Sequence, residues 1–292
     1  LSARLSAAAG PRGRQLGTAR ARRPPASGKS TPVARAGHRR STVATAAETV
    51  DAPSQPEKIP TPEYQLGRPT PKEESRMKLQ VDISDSTYRE SMGQLLVLYT
   101  QVDLLIMEIC AERIANAPDD AARLALAKQV GDESRHVAIQ RDWMEKFGTD
   151  TQAVINPKQQ DMIRSHFRDL PWLEFLADMY LCVEALGSEA VENIVPLADP
   201  GTRESLHVPL SDELDHVAFG ISRLKQELAQ LPEQASQAFL AAIPQRIEAL
   251  MKVFIGLGLD VRNLFEQVGA DYAELCDAVL RRRDEVLQQV AA

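Results

Sequence analysis

The 292-residue chain has little cysteine and few aromatic residues: three cysteines, and 5% Phe, Trp and Tyr together. Three cysteines cannot build a disulfide scaffold, so the sequence indicates a reducing compartment. The chain also lacks an uninterrupted apolar run of the roughly 18–20 residues that a membrane-spanning helix needs, so no integral membrane segment is expected. The alternation of Val, Ile and Thr that is typical of half-buried strands is missing as well. An all-α fold is therefore expected.

Acidic residues are missing from residues 1–47, although ten of the 34 Lys and Arg residues lie there. This basic stretch, rich in Ser and Ala, cannot bury a core, and its composition is typical of a transit peptide. The alternative is a basic tail that binds nucleic acid or anionic lipid. We expect import into a plastid, with a mitochondrion as the alternative, because composition separates the two organelles poorly.

Beyond the predicted transit peptide, residues 48–84 are rich in proline and read as a linker, which leaves 85–292 as a helical domain. All 41 acidic residues lie after residue 47, against 24 basic ones. So acidic a domain offers no surface for nucleic-acid phosphates, and no nucleic-acid partner is expected.

Helix start and stop signals divide this domain into segments. Thr87 and Glu90 have the spacing of a capping box before the apolar stretch 95–114. Pro118 ends that helix, and the next helix is predicted to close at Gly148. Further helices are predicted to start at Pro157, at Pro171, after Asp199-Pro200-Gly201, and near residues 234 and 270.

The motif Asp-Glu-x-x-His occurs at residues 132–136 and again 80 residues later, at 212–216. Its spacing places the carboxylate and imidazole of each copy on one helix face, where both can bind the same metal pair. The preceding helix repeats too, since residues 99–108 and 180–189 share Tyr, Val, an acid, Leu and Glu at matching positions. Two such helix pairs, related by a pseudo-twofold axis, would surround a bundle centre with four carboxylates and two imidazoles. That is a ligand set for two iron or manganese ions.

A third Glu-x-x-His, formed by Glu204 and His207, has no counterpart in the first half. Pro209 follows it closely and is expected to break or kink the helix, so we interpret this pair as part of the surface. The lone histidines His38 and His166 have no paired acid in the sequence and are not assigned to the site.

Two registers are open for the acids of the first helix in each pair: Asp103 with Glu184, or Glu108 with Glu189. Asp103 lies within an apolar stripe, where a charge is costly unless a metal or partner compensates it, whereas Glu108 is predicted to lie on a solvated face. We favour the first register and keep Glu108 as the alternative. The predicted metal ligands are Asp103, Glu133, His136, Glu184, Glu213 and His216.

Tyr99 and Tyr180 lie one helical turn before Asp103 and Glu184. Their hydroxyls could therefore hydrogen-bond to the ligands, and packing in the core is the alternative interpretation.

Over roughly residues 85–230 the chain resembles the ferritin-like di-iron carboxylate superfamily. The segment from Glu184 through Asn193-Ile-Val-Pro-Leu-Ala-Asp199 to Phe219-Gly220 is similar to the second ligand half of aldehyde-deformylating oxygenases. The Ala117-Pro118 turn, Leu126-Ala127-Lys128 and the first Asp-Glu-x-x-His are similar to the catalytic subunit of phenylacetyl-CoA epoxidase. This resemblance implies a ferritin-like four-helix bundle, and the helices predicted near residues 234 and 270 are additional C-terminal helices.

Both families use the matching Glu and His positions as iron ligands, and the resemblance carries that role to Glu133, His136, Glu184, Glu213 and His216. Asp103 departs from their usual Glu, although the small subunit of ribonucleotide reductase also uses Asp there. The function implied is an O₂-dependent oxygenase or monooxygenase with two Fe ions, or a Mn/Fe pair, and O₂ as co-substrate.

The expected partners are a small apolar substrate (an aldehyde, acyl thioester, isoprenoid or aromatic acid) and a second copy in a homodimer. Because no flavin, nicotinamide or iron–sulfur motif is found, an external electron donor such as ferredoxin is also expected. The alternatives are a ferroxidase or peroxide-handling protein, and a metal-free structural protein on the same scaffold. The helices after residue 230 favour the oxygenase, because a storage bundle does not need them.

Overall fold

The computed structural model describes residues 83–149, 153–256 and 260–292, apart from the side chain of Ile255. The predicted transit peptide and all but the last two residues of the predicted linker lie outside this part of the chain, as does His38. Within it the regular elements are helices, and no strand is present. The predicted all-α fold is confirmed.

Helix α1 spans Ser86–Ile114. Asp85 caps it, because its carboxylate accepts a hydrogen bond from the backbone N–H of Thr87 at 2.8 Å; the capping box predicted from Thr87 and Glu90 is therefore wrong by two residues. By length and composition alone α1 is the one described helix that could cross a membrane. However, 56% of its most apolar window is buried in the fold, as in the core helix of a globular protein, so it is weak evidence for a span.

Helix α2 spans Asp120–Phe147 and runs back along α1. Asp119 caps its first turn, and Gly148 ends it in the left-handed conformation with φ of 66°, as the sequence predicts. Helix α3, Pro157–Arg168, begins at a capping box formed by Asn156.

Helix α4 contains a segment that the sequence did not predict. It consists of α-helical Trp172–Leu176, π-helical Ala177–Glu184 and α-helical Ala185–Glu192. The backbone N–H of Ala185 reaches the carbonyl of Tyr180, five residues earlier, as π-helical geometry requires. Such segments are rare and frequently lie at functional sites. Here the π-helical segment ends at Glu184, one of the predicted ligands.

Helix α5 spans Pro200–Leu228 and passes through Pro209 without a break. The predicted break is therefore wrong: a proline removes only one helical hydrogen bond, and this proline is buried against the bundle, whose packing offsets the loss. Glu204 and His207 are exposed, as predicted.

Three helices follow the bundle: α6 (Glu233–Gly256), α7 (Val261–Gln267) and α8 (Tyr272–Ala291). The sequence predicted α6 and α8 but not the short α7 between them. Helix α6 packs on the π-helical segment of α4, α7 packs on α1, and α8 packs on α4 and α5. These contacts cover the outside of a four-helix bundle formed by α1, α2, α4 and α5.

The core of this bundle is apolar at both ends and polar in the middle. Leu95, Leu96 and Leu126 are fully buried on α1 and α2, and Phe175 and Leu181 are fully buried on α4. Each such side chain stabilises the fold by about 1.5–3 kcal/mol. This apolar packing holds the four helices at a distance where side chains from all of them meet at the centre.

Candidate metal centre

All six predicted ligands meet in the middle of the bundle. Asp103 comes from α1, Glu133 and His136 from α2, Glu184 from α4, and the second Glu-x-x-His from α5. They form two groups that share Glu133, and within each group one ligand atom per residue lies within 4.8 Å of the others. The groups are Glu133, Glu184, Glu213 and His216, and Asp103, Glu133 and His136.

The ligand atoms of the first group face one another at short distances. The Nδ1 atom of His216 lies 3.6 Å from a carboxylate oxygen of Glu133, 3.5 Å from one of Glu184 and 3.6 Å from one of Glu213. Each residue of this group has one buried atom without a hydrogen-bond partner in the described structure: Glu133 Oε1, Glu184 Oε2, Glu213 Oε2 and His216 Nδ1. Buried polar atoms are rarely left unpaired, so four that face one another indicate a cation site.

The second group places Glu133 between the two imidazoles. Its Oε2 lies 3.1 Å from Nδ1 of His136, whereas its Oε1 faces His216. Both histidines therefore turn Nδ1 towards the carboxylates. Asp103 is buried and completes this group.

Burial shows which of the two candidate acids of α1 lies at the centre. Asp103 belongs to the buried cluster, whereas Glu108 has a side chain that is 46% exposed and forms an ion pair with Arg164 at 2.5 Å. The geometry thus brings Asp103, and not Glu108, to the candidate centre.

Each imidazole is oriented by an aspartate of the opposite motif. Nε2 of His136 lies 2.9 Å from Asp212, and Nε2 of His216 lies 3.2 Å from Asp132. A carboxylate that accepts from Nε2 leaves Nδ1 free to bind a metal ion. Sequence reasoning missed both aspartates, although the signal was present, because an Asp precedes the Glu in both copies of the motif.

Basic side chains compensate these two aspartates from outside. Lys128 donates to Asp132 at 2.9 Å, and Arg135 forms a short ion pair with Asp212. Burial alone would raise the pKa of Asp132, but the hydrogen bonds from Lys128 and His216 outweigh it and hold the pKa below its ordinary value. Asp132 therefore stays charged and keeps accepting from His216.

Two glutamines of α2, also missed from the sequence, hold the carboxylates of α1 and α4. Gln129 donates to Glu184 at 2.5 Å, and Gln140 donates to Asp103 at 2.7 Å. The hydroxyl of Tyr180 donates to Gln129 at 2.8 Å, so this tyrosine reaches the ligand through a glutamine rather than directly. Tyr99 is buried as well, but its hydroxyl has no hydrogen-bond partner in the described structure.

His166 has a partner that the sequence did not reveal. Its Nε2 lies 2.7 Å from Asp178, a buried residue of the π-helical segment that also accepts two hydrogen bonds from Arg246. This polar cluster joins α3 and α6 to α4. His166 therefore lies outside the candidate centre, as interpreted from the sequence, but it is paired with Asp178.

Negative charge is concentrated at the centre, and it contributes to raising the pKa values of the candidate ligands Glu213, Asp103 and His216. Burial, and then the nearby charge of Glu184, raise the pKa of Glu213 to about 8. Burial and the charge of Glu133 raise the pKa of Asp103 well above its ordinary value. Burial lowers the pKa of His216, but its carboxylate neighbours outweigh that effect and raise the pKa to about 12. A cation would replace these protons as the compensating charge, so the cluster could hold metal ions.

Metal affinity is expected to increase with pH, because Glu213 and His216 both hold a proton at neutral pH in the metal-free protein and must lose it to bind an ion. Each displaced proton makes affinity change up to about tenfold per pH unit below the group's pKa. Calorimetric titration of Mn²⁺ into metal-free protein at about pH 6 and 8, in buffers of different ionisation enthalpy, measures affinity and proton release together. An affinity that is flat over this range, with no proton release, would contradict the predicted ligand role of these two residues.

A cavity of about 190 Å³ lies beside the centre. Asp103, Glu184 and Glu213 form part of its wall, and the rest is mostly apolar residues of α1, α4, α5 and α7. A second cavity of about 220 Å³ is lined only by apolar side chains. The two share Leu98, Val102, Ile106 and Val183 as lining residues.

Comparison with known proteins agrees with this architecture. The chain is similar in structure to "Protein 19 with aldehyde deformylating oxidase activity from Synechococcus", with a TM-score of 0.59 and 18% identity, over 73% of this chain and 94% of that chain. At this identity the likeness shows the fold alone. No curated protein matches the chain. The sequence model of a family described as "Ferritin-like domain, actinomycetes" matches residues 86–252, more than half of the chain. The predicted resemblance to the ferritin-like superfamily is confirmed, and the chain belongs to this family of ferritin-like domains.

Proposed function

We propose that the protein is a non-haem di-iron oxygenase that uses O₂ to oxidise a small apolar substrate. The observation that carries the proposal is the set of four buried, mutually facing and unpaired ligand atoms on Glu133, Glu184, Glu213 and His216. The second group, with Asp103 and His136, offers a position for another ion beside it. The activity named for the Synechococcus protein of the same fold supports an oxygenase.

The residues fit a pair of iron ions. Four carboxylates carry enough negative charge for two divalent cations, and one imidazole for each ion is a nitrogen ligand that iron accepts. Glu133 would help to hold both ions, because its two oxygens face the two different groups. When bound, two ferrous ions supply electrons and open coordination positions for O₂.

The protein contributes a fixed and buried environment. Asp132 and Asp212 hold the imidazole tautomers, while Gln129 and Gln140 hold Glu184 and Asp103 in place. Groups positioned in this way need no reorganisation when charge shifts during a reaction.

The lining of the cavities supports an oxygenase rather than a ferroxidase. A ferroxidase needs a path for hydrated iron. The wall of the nearer cavity, however, is apolar apart from a few side chains, and the farther cavity is lined only by apolar side chains. Together the cavities have room for an organic molecule, whose hydrocarbon part would lie against α1 and α4. The proposal includes an external electron donor such as ferredoxin, a plastid location and assembly as a homodimer.

Substrate-dependent O₂ uptake tests the proposal. The protein is loaded with two equivalents of ferrous iron under argon, given a chemical reductant, and exposed to O₂ with a panel of medium-chain aldehydes, alcohols, isoprenoids and aromatic acids. We expect O₂ uptake that rises severalfold with at least one of them, together with an oxidised product in the mass spectrum, and no such rise for Glu213→Ala. O₂ uptake that is independent of every organic compound, with ferric iron as the product, would support the ferroxidase alternative. A protein that retains no iron would support the metal-free alternative.

A further inference from the structure

The two tyrosines that match in the repeat differ in their hydrogen bonds. The hydroxyl of Tyr180 is paired with Gln129. Tyr99 is only 9% exposed and lines the cavity beside the candidate centre, yet its hydroxyl has no partner in the described structure. A buried hydroxyl without a partner costs about 1–3 kcal/mol.

The repeat explains why Tyr99 is left alone. The residue that matches Gln129 at the 80-residue offset is Pro209, whose side chain can neither donate nor accept a hydrogen bond. Pro209 lines the same cavity as Tyr99. The difference within the repeat therefore leaves Tyr99 without the partner that Tyr180 has.

A second unpaired atom lies in the wall of this cavity. Gln140 is 3% exposed, and its amide nitrogen donates to Asp103 at 2.7 Å, which leaves the amide oxygen Oε1 as an acceptor without a partner. The other polar side chains of the wall are three candidate ligands and Ser188, whose hydroxyl already donates to the carbonyl of Ala185. Apart from the candidate ligands, the residues that line the cavity thus include one hydroxyl and one amide oxygen that are buried and have no partner in the described structure.

We propose that Tyr99 and Gln140 together bind a hydroxyl group on an otherwise apolar substrate. The hydroxyl of Tyr99 would donate to the substrate oxygen, and the substrate O–H would donate to Oε1 of Gln140. This inference rests on the proposed function, since it places the substrate in the cavity beside the metal centre. It assigns Tyr99 and Gln140 as the residues that select and position the substrate.

Other head groups match this pair less well. An aldehyde or ether oxygen can accept from Tyr99 but leaves Gln140 unpaired. A carboxylate would bring a further negative charge next to Asp103, Glu184 and Glu213. Burial, followed by the charge of Asp103, raises the pKa of Tyr99, so this phenol stays protonated and remains a donor.

Binding of three small probes tests the inference without any turnover. The probes are n-hexanol, its isomer methyl pentyl ether, which accepts but cannot donate, and n-hexane, which does neither. Affinities are measured calorimetrically in metal-free protein and in protein loaded with redox-inert Zn²⁺. We expect hexanol to bind about tenfold more tightly than the ether, because the ether leaves Gln140 unsatisfied. The difference in affinity between hexanol and hexane should be larger than that.

Two variants assign the effect to the named side chains. Tyr99→Phe is expected to lower the affinity for hexanol about tenfold and leave that for hexane unchanged. Gln140→Met, of similar size, should bring the ratio between hexanol and the ether close to one. Tyr88→Phe is the matched control, because its hydroxyl is already paired with Asp199 and it is not among the residues that line the cavity, so all three ratios should stay as in the wild type.

Equal affinities of the three probes for the wild type, or ratios that survive Tyr99→Phe, would overturn the inference and indicate that water satisfies these two atoms. Absence of binding by all three probes would overturn it as well. Because no step requires iron or O₂, these outcomes are separate from failure of the oxygenase test.

Discussion

Replacing Glu133 by alanine is expected to abolish metal binding at both positions of the candidate centre. Glu133 is the one residue that both described groups contain, and its two oxygens face His216 and His136 separately. Its loss would therefore remove a candidate ligand from both groups at once. Iron content after anaerobic loading and desalting should fall from about two per chain to less than about half an ion, measured by elemental analysis.

The matched control is Glu108→Ala, which removes the competing acid of the same helix. Because Glu108 is half-exposed and paired with Arg164 at the surface, this variant should keep its iron and lose at most about 1 kcal/mol of stability. Circular dichroism of both metal-free variants separates loss of metal from loss of fold. Iron retained at full stoichiometry in Glu133→Ala, or lost in Glu108→Ala, would contradict the assignment of the centre.

The meeting of the six residues was predictable because two kinds of spacing constrain it. The three-residue interval within each Glu-x-x-His fixes a helix face, and the repeat of 80 or 81 residues fixes how the two halves correspond. The choice of Asp103 over Glu108 followed from the cost of a charge in an apolar stripe, and the burial of Asp103 agrees with it. Both the local spacing and the apolar stripe that predicts burial can be recognised in the sequence alone.

The residues that hold the ligands were harder to predict because they break the repeat. Gln129 and Gln140 match Pro209 and Gly220 in the second half, so a search for symmetry passes over them. Their positions relative to Glu133 nevertheless continue one face of α2 at helical spacing, and that face could have revealed them. Asp132 and Asp212 could have been predicted from the residue that precedes the Glu in each copy of the Glu-x-x-His motif.

The π-helical segment had no such local signal. Its residues have ordinary helical propensity, and what is unusual about them is their packing: Tyr180 lies directly against Gly220 of α5. Tertiary contacts of this kind decide between α-helical and π-helical hydrogen bonding, and they are absent from any window of sequence. The same contact makes Gly220 a sensitive position.

Gly220→Ala is expected to destabilise the protein by about 3 kcal/mol, at the upper end of the usual cost of overpacking. A Cβ atom on Gly220 would lie 2.1 Å from Cβ and 2.3 Å from Cγ of Tyr180. Cβ of Tyr180 cannot move without the backbone of α4, and its hydroxyl is held by Gln129. Helices α4 and α5 must therefore separate, which outweighs the roughly 1 kcal/mol that alanine gains over glycine in a helix.

Gly187→Ala makes the same substitution in α4 at a position where a Cβ would have no neighbour within 4 Å. It should be neutral or stabilise the protein by up to about 1 kcal/mol. Urea unfolding of the metal-free variants, followed by circular dichroism, compares the two directly. The shift that Gly220→Ala imposes on Tyr180 should also loosen the hydrogen bond from Gln129 to Glu184, so this variant should bind metal more weakly as well. Equal unfolding free energies for the two variants would mean that α4 and α5 can part at no cost, and that Tyr180 does not fix the position of Glu184.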